Sequence, residues 1–162
     1  MVFEIFNVLV SSYGYLGVFL VSLIGSASII FPIPSTFVVF GAALFLDPLL
    51  LGLVGGLGAA IGELTGYLLG VGGGKVIKKK WKKDFKKTEK MFQKYGGFFI
   101  IVLFAATPLP DDIVGILGGT LRYPLKRFFL ATLIGKIILH LLLAYGGFYG
   151  INWILEVFGL AS

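Results

Sequence analysis

The chain has 162 residues, 57% hydrophobic and only 14% charged, with a mean hydropathy of +0.98 and a formal net charge of +6. A soluble domain is roughly 45–50% apolar and about 25% charged, so the composition is that of an integral membrane protein, and the length fits one domain, 1–162. The absence of cysteine and a single histidine, His140, exclude disulfides, thiolate chemistry and a histidine-rich metal site, and no cofactor is expected.

Residues 1–12 are mixed in character and suit an interfacial helix; they lack the positive n-region of a secretory signal. Tyr13 to Phe31 is apolar, about the minimum length of a span, and stops at Pro32-Ile33-Pro34-Ser35-Thr36. Phe37 to Leu46 is a short apolar arm, about 15 Å if helical, half a bilayer. Asp47-Pro48 ends it. Leu49 to Val71 is a full span with one charge, Glu63. Its Gly58, Gly62, Gly66 and Gly70 form a smooth stripe, which reads first as a close-packing face and also permits a homo-oligomer.

Gly72-Gly73-Gly74 is expected to break that helix. Lys75 to Lys94 then holds ten lysines, with Ile77, Trp81, Phe85, Thr88, Phe92 and Tyr95 at three-to-four spacing. That predicts a basic amphipathic helix lying on the cytoplasmic membrane surface, aromatics down, with Lys78, Lys79, Trp81, Lys82 and Lys83 at the headgroups. In so apolar a chain the positive charge serves topology and attraction to anionic lipid, not nucleic acid. Phe98 to Ala106 and Ile113 to Leu121 flank Thr107-Pro108-Leu109-Pro110-Asp111-Asp112, two prolines and two carboxylates inside an apolar run. Arg122, Lys126 and Arg127 add surface charge, and Leu125 to Tyr149 is a second full span carrying Thr132, Lys136 and His140. The remainder, from Gly150, reads as a short tail.

If 98–121 crossed the bilayer, the two basic clusters would fall on opposite faces. A segment that dips in and returns keeps them together, as the positive-inside bias requires. Pro32, Pro34 and Pro48 correspond to Pro108, Pro110 and Pro124 at a constant offset of 76. The expected fold is therefore all-α: two opposed re-entrant helical hairpins in an inverted repeat (13–71 and 95–149), two full spans and the connector 75–94. In the alternative topology, residues 1–31 cross once more.

Counting about 1.5 Å per residue, Glu63, Asp111, Asp112 and Lys136 all fall near the midplane, with His140 one turn from Lys136. Three acids outnumber one firm cation, so one acid is expected to hold a proton at neutral pH, the chemistry of proton coupling. A structural ion pair is the plainer use of the same residues. Helices restarting at Pro34 and Pro110 point their amides at the midplane, which suits an anionic group. Asp111 and Asp112 occupy the second tip, whereas neutral Ser35 and Thr36 leave the first one free.

Phe31-Pro-Ile-Pro-Ser35, the Gly62-Glu63-Leu-Thr-Gly66-Tyr67-Leu-Leu-Gly70 element, and Phe104 to Gly119 followed by Arg122-Tyr-Pro124 resemble the DedA family, also called the VTT-domain or SNARE-associated Golgi protein family. The resemblance covers roughly 13–150. It implies two opposed re-entrant hairpins and lipid translocation, of polyprenyl-phosphate carriers or phospholipids, with dependence on proton-motive force in bacterial members. Glu63 matches a family acidic position. The chain departs at Thr36, where many bacterial members carry Glu, and at Ala105 and Asp111, where they carry arginines.

The expected function is a proton-coupled flippase for a lipid-linked anionic substrate in the cell membrane, and not an enzyme. Glu63, Asp111, Asp112, Lys136 and His140 would serve proton coupling and transport, the acids handling protons and Lys136 pairing with a carboxylate or a substrate phosphate. Pro32, Pro34, Ser35, Thr36, Thr107, Pro108 and Pro110 would form the substrate tips. The alternatives are an intramembrane lipid-phosphate enzyme, or a noncatalytic organiser or ion-conducting pore.

Overall fold

The computed structural model describes residues 13–28, 35–80, 82–107 and 112–157. All regular structure among them is helical. In chain order the helices are α1 (Tyr15–Ala27), α2 (Ser35–Ala42), α3 (Pro48–Gly62), α4 (Leu64–Lys80), α5 (Lys82–Tyr95), α6 (Gly97–Ala105), α7 (Asp112–Thr120) and α8 (Leu125–Val157).

Two stretches are long and apolar enough to cross a membrane: Pro48–Gly73, which is α3 joined to most of α4 through Glu63, and Leu125–Gly150 of α8. The first begins at a strong start signal. Asp47 Oδ1 accepts a hydrogen bond from the Leu50 amide at 3.0 Å, and Pro48 occupies the first helical turn, where its missing N–H costs nothing. The two spans run antiparallel and close, because Gly52 lies against Leu141 and Gly56 against Ile137.

The shorter helices coat these spans in pairs. A Cβ on Gly58 would collide with the Phe19 carbonyl and one on Gly62 with the Leu23 carbonyl, so α1 runs parallel to α3 in near backbone contact. Farther along the same stripe, Gly70 meets the Ile116 carbonyl, and Gly119 of α7 meets the Tyr67 carbonyl. The stripe is thus filled by this chain's own helices, α1 on one half and α7 on the other. On α8, Gly135 receives Val102 and Ala105 of α6, and Gly147 receives Phe40 of α2. Small residues allow this approach where lipid supplies no hydrophobic drive between helices.

The ends of each coated segment meet. The Asp47 amide donates to the Tyr15 hydroxyl at 3.0 Å, so α1 starts beside the start of α3. Gly97 touches both Phe92 and Tyr123, placing the start of α6 beside the start of α8. There α7 closes with two reverse hydrogen bonds, Tyr123 N–H to Gly118 O at 2.8 Å and Arg122 N–H to Gly119 O at 3.0 Å. This is a Schellman-type ending with Arg122, at φ 51°, in the left-handed position usually given to glycine.

Three sequence expectations change. The helix runs through Gly72, Gly73 and Gly74 to Lys80. Each glycine costs about 1 kcal/mol of helix propensity, but breaking the hydrogen-bond ladder next to hydrocarbon costs more. The first six residues of the basic segment therefore continue the helix of α4, and the amphipathic pattern is carried by α5. On α5 the apolar face turns partly inward: Phe92 and Thr88 are buried, and the Phe92 ring meets Tyr123 edge-on at 6.0 Å. Lastly, α8 continues past Gly150 to Val157.

Two core clusters result. One joins Tyr67, Ile101, Leu117 and Phe128; the other joins Val18, Val39, Leu51 and Ala144. Outside them large apolar side chains face outward, among them Phe37, Phe45, Phe99 and Leu142, as a lipid-facing belt requires.

Candidate functional site

Glu63 stands at a one-residue irregularity between α3 and α4, with φ −63° and ψ −19°. Its amide still donates to the Ala59 carbonyl at 3.0 Å, so the hydrogen-bond ladder continues through it. Two residues on, Thr65 Oγ1 donates to the Gly62 carbonyl at 2.8 Å and reaches the Ala27 carbonyl of α1 at 3.2 Å. This ties the end of α1 to the level of Glu63.

Across from it, Lys136 Nζ lies 3.4 Å from Glu63 Oε2, with side-chain exposures of 8% and 4% for Lys136 and Glu63. Glu63 is about 15 Å of rise from Gly73, and Lys136 about 16 Å from Leu125, on adjacent antiparallel spans. Both charges therefore sit at the same depth, well inside a core about 30 Å thick. A buried pair of this kind gains little net stability, but removing one member strands the other charge.

Lys136 belongs to a buried polar strip on α8, one turn apart: Thr132, Lys136 and His140, exposed 1%, 6% and 2%. His140 Nδ1 is 2.8 Å from the Lys136 carbonyl. A carbonyl only accepts, so Nδ1 carries the hydrogen and, in the neutral ring, Nε2 is left as an acceptor. On the far side of the ring, a Cβ at Gly55 would lie 2.8 Å from His140 Cδ2 and 3.4 Å from Ser22 Oγ. Gly55 thereby lets His140 and fully buried Ser22 of α1 both pack closely on the α3 backbone.

On the other side of Glu63, a small cavity is lined by Glu63, Ile101, Ala105, Val114, Gly115, Phe128 and Thr132. Gly115 of α7 is what opens it; a Cβ there would stand 3.0 Å from Glu63 Oε1. Among the described residues no group of three or more His, Cys, Asp and Glu is placed to hold a metal.

The other predicted site residues fall as follows. Asp112 is the first residue of α7, the helix whose Gly115 touches Glu63. Ser35 opens α2 and is buried; Thr36 is half-buried beside it. Thr107 bonds back to the Leu103 and Phe104 carbonyls at 3.0 and 3.1 Å, satisfying the end of α6. Arg122, Lys126 and Arg127 are exposed. Lys78 and Lys79 lie on α4, Lys82 and Lys83 on α5. Pro32, Pro34, Trp81, Pro108, Pro110 and Asp111 lie outside the described residues. Sequence reasoning missed Ser22, Gly55 and Gly115. Only Ser22 carries a signal, as a polar residue inside an apolar arm, and it is a weak one.

The model of the VTT domain family matches residues 33–149, most of the chain and all of the polar strip. The chain belongs to the VTT domain family. This VTT-domain protein is similar to the uncharacterized protein MJ0201 of Methanocaldococcus jannaschii, 28% identical over 134 residues that cover 82% of each chain. It is also similar to the vacuole membrane protein KMS2 of Arabidopsis thaliana, 35% identical over 101 residues, 52% of this chain and 24% of that one. No solved structure matches.

Proposed function

We propose that this VTT-domain protein is a proton-coupled flippase for a lipid-linked anionic substrate, a polyprenyl phosphate or a phospholipid, working by transport and not by bond cleavage. The observation that carries this reading is the buried Glu63–Lys136 pair at mid-depth between antiparallel spans. Ionisable groups at that depth are costly and mark ion or substrate paths. Lys136 can release Glu63 to a proton and take up an anionic headgroup in its place, so proton and substrate exchange at one cation.

In the same proposal, 13–47 and 95–123 are re-entrant hairpins of an inverted repeat, entering from opposite faces. The meeting of Tyr15 with Asp47 and of Gly97 with Tyr123 supports it. So does the exchange of partners: in each unit the first arm packs on its own span and the second arm on the other unit's span. The protein then resides in the cell membrane with the lysine-rich connector on the cytoplasmic side.

The test is flipping of a fluorescent lipid phosphate in proteoliposomes, with and without a pH gradient. Glu63→Gln and Asp112→Asn are each expected to reduce it by about a hundredfold, the scale of losing a placed acid or base, with expression retained. Adding Lys136→Met to Glu63→Gln removes the stranded charge and restores stability, not transport. Gradient-dependent flipping at the wild-type rate in both single variants would refute the proposal.

A further inference from the structure

The cavity beside Glu63 has a volume of about 10 Å³, close to the room one water needs. Its walls are mostly apolar, at Ile101, Ala105, Val114 and Phe128, and two residues with polar side chains, Glu63 and Thr132, also line it. Thr132 is 1% exposed, and its Oγ1 has no hydrogen-bond partner among the described residues. Leaving such a group unsatisfied costs about 1–3 kcal/mol. A carboxylate offers about four lone-pair sites, more than one ammonium occupies. The cavity lies toward Gly115 and Oε1, away from the polar strip's histidine end.

We infer that this cavity binds one water, held by Thr132 Oγ1 and donating to the Glu63 carboxylate, and that this water delivers the proton exchanged at Glu63. The second half rests on the proton-coupled reading above; the first half does not. In one transfer the water gives a proton to a Glu63 oxygen and takes one from a hydronium ion arriving from the aqueous phase, which ends as water. The bound water ends neutral, still held by Thr132, and one proton has moved from solution to Glu63. Phe128 of α8 and Ile101 of α6, both at most 1% exposed, line the cavity on their respective sides. Gly115 keeps it open, since any side chain there would meet Glu63 Oε1 first.

The site is tested by difference infrared spectroscopy of the full chain in lipid, after a pH jump, in ordinary and heavy-oxygen water. An isotope-sensitive O–H band from a single bound water is expected in the wild type and in Thr132→Ser. It is expected to vanish in Thr132→Val, which keeps the volume and removes the hydroxyl, and in Gly115→Ala, which fills the cavity. Proton uptake by proteoliposomes carrying lipid phosphate is expected to fall about tenfold or more in Thr132→Val and to recover in Thr132→Ser. No isotope-sensitive band in the wild type, or the same band in Thr132→Val and Gly115→Ala, overturns the water site. A band that depends on Thr132 while Thr132→Val takes up protons normally overturns the delivery role. A wild type that moves no lipid phosphate yet shows the Thr132-dependent band sinks the flippase reading and upholds the water.

Discussion

At the scale of single residues, His140 is defined by what its backbone neighbour permits. The Lys136 carbonyl claims Nδ1–H, and Nε2 is buried without a hydrogen-bond partner among the described residues. Ser22 Oγ, which also packs beside Gly55, is in the same condition. Because His140 is the sole histidine, nitrogen-15 NMR of histidine-labelled protein reads it alone. The expected spectrum is that of the tautomer protonated at Nδ1, with the Nε2 resonance moved by Ser22→Ala; an Nε2-protonated ring would contradict the assignment. Much of this strip was legible in the sequence, because Glu63, Lys136 and His140 stand out in apolar surroundings and helical spacing puts the last two on one face. Ser22 was not legible: a serine in an apolar helix more often satisfies its own backbone, as Ser28 does with the Ile24 carbonyl.

At the scale of elements, glycine position decides what a helix can bear. Gly119 packs on the Tyr67 carbonyl, whereas Gly72 has nothing within 4 Å of where a Cβ would be. Gly119→Val is therefore expected to destabilise the protein by about 1–3 kcal/mol or to prevent assembly, and Gly72→Ala to stabilise it by about 1 kcal/mol. Unfolding midpoints in mild detergent, titrated with a denaturing detergent, measure both; equal effects would disprove the packing described. The glycine stripe was visible from spacing, but its partners were not, since spacing cannot say whether α1, α7 or a second copy fills it. The expected break at Gly72-Gly73-Gly74 failed for a related reason. Propensity reads those glycines as a stop, while the ladder they belong to continues from an apolar helix and is held by it. The inward turn of Phe92 was hidden too, because three-to-four spacing gives an apolar face without saying whether lipid or protein covers it.

At the scale of the whole molecule, the proposed topology puts Tyr13 and Phe45 on one face of the membrane and Lys94 and Arg122 on the other. The chain has no cysteine, so single replacements at these four exposed positions label without background. An impermeant thiol reagent added from outside to intact cells is expected to modify Tyr13→Cys and Phe45→Cys and to spare Lys94→Cys and Arg122→Cys. Labelling that divides Tyr13 from Phe45 would mean a full crossing between them. The two spans were readable from length and hydropathy alone. Which arm lies on which span was not readable, because that choice depends on glycine contacts between residues far apart in the chain. It has a bearing on biosynthesis. Since α2 rests on α8 and α7 on α4, neither half of the polypeptide contains all of its own neighbours. The segment emerging first from the ribosome must wait with α2 unclasped until Gly147 has been made. The two halves, produced as separate pieces, would each be incomplete and would find in the other the surface each lacks.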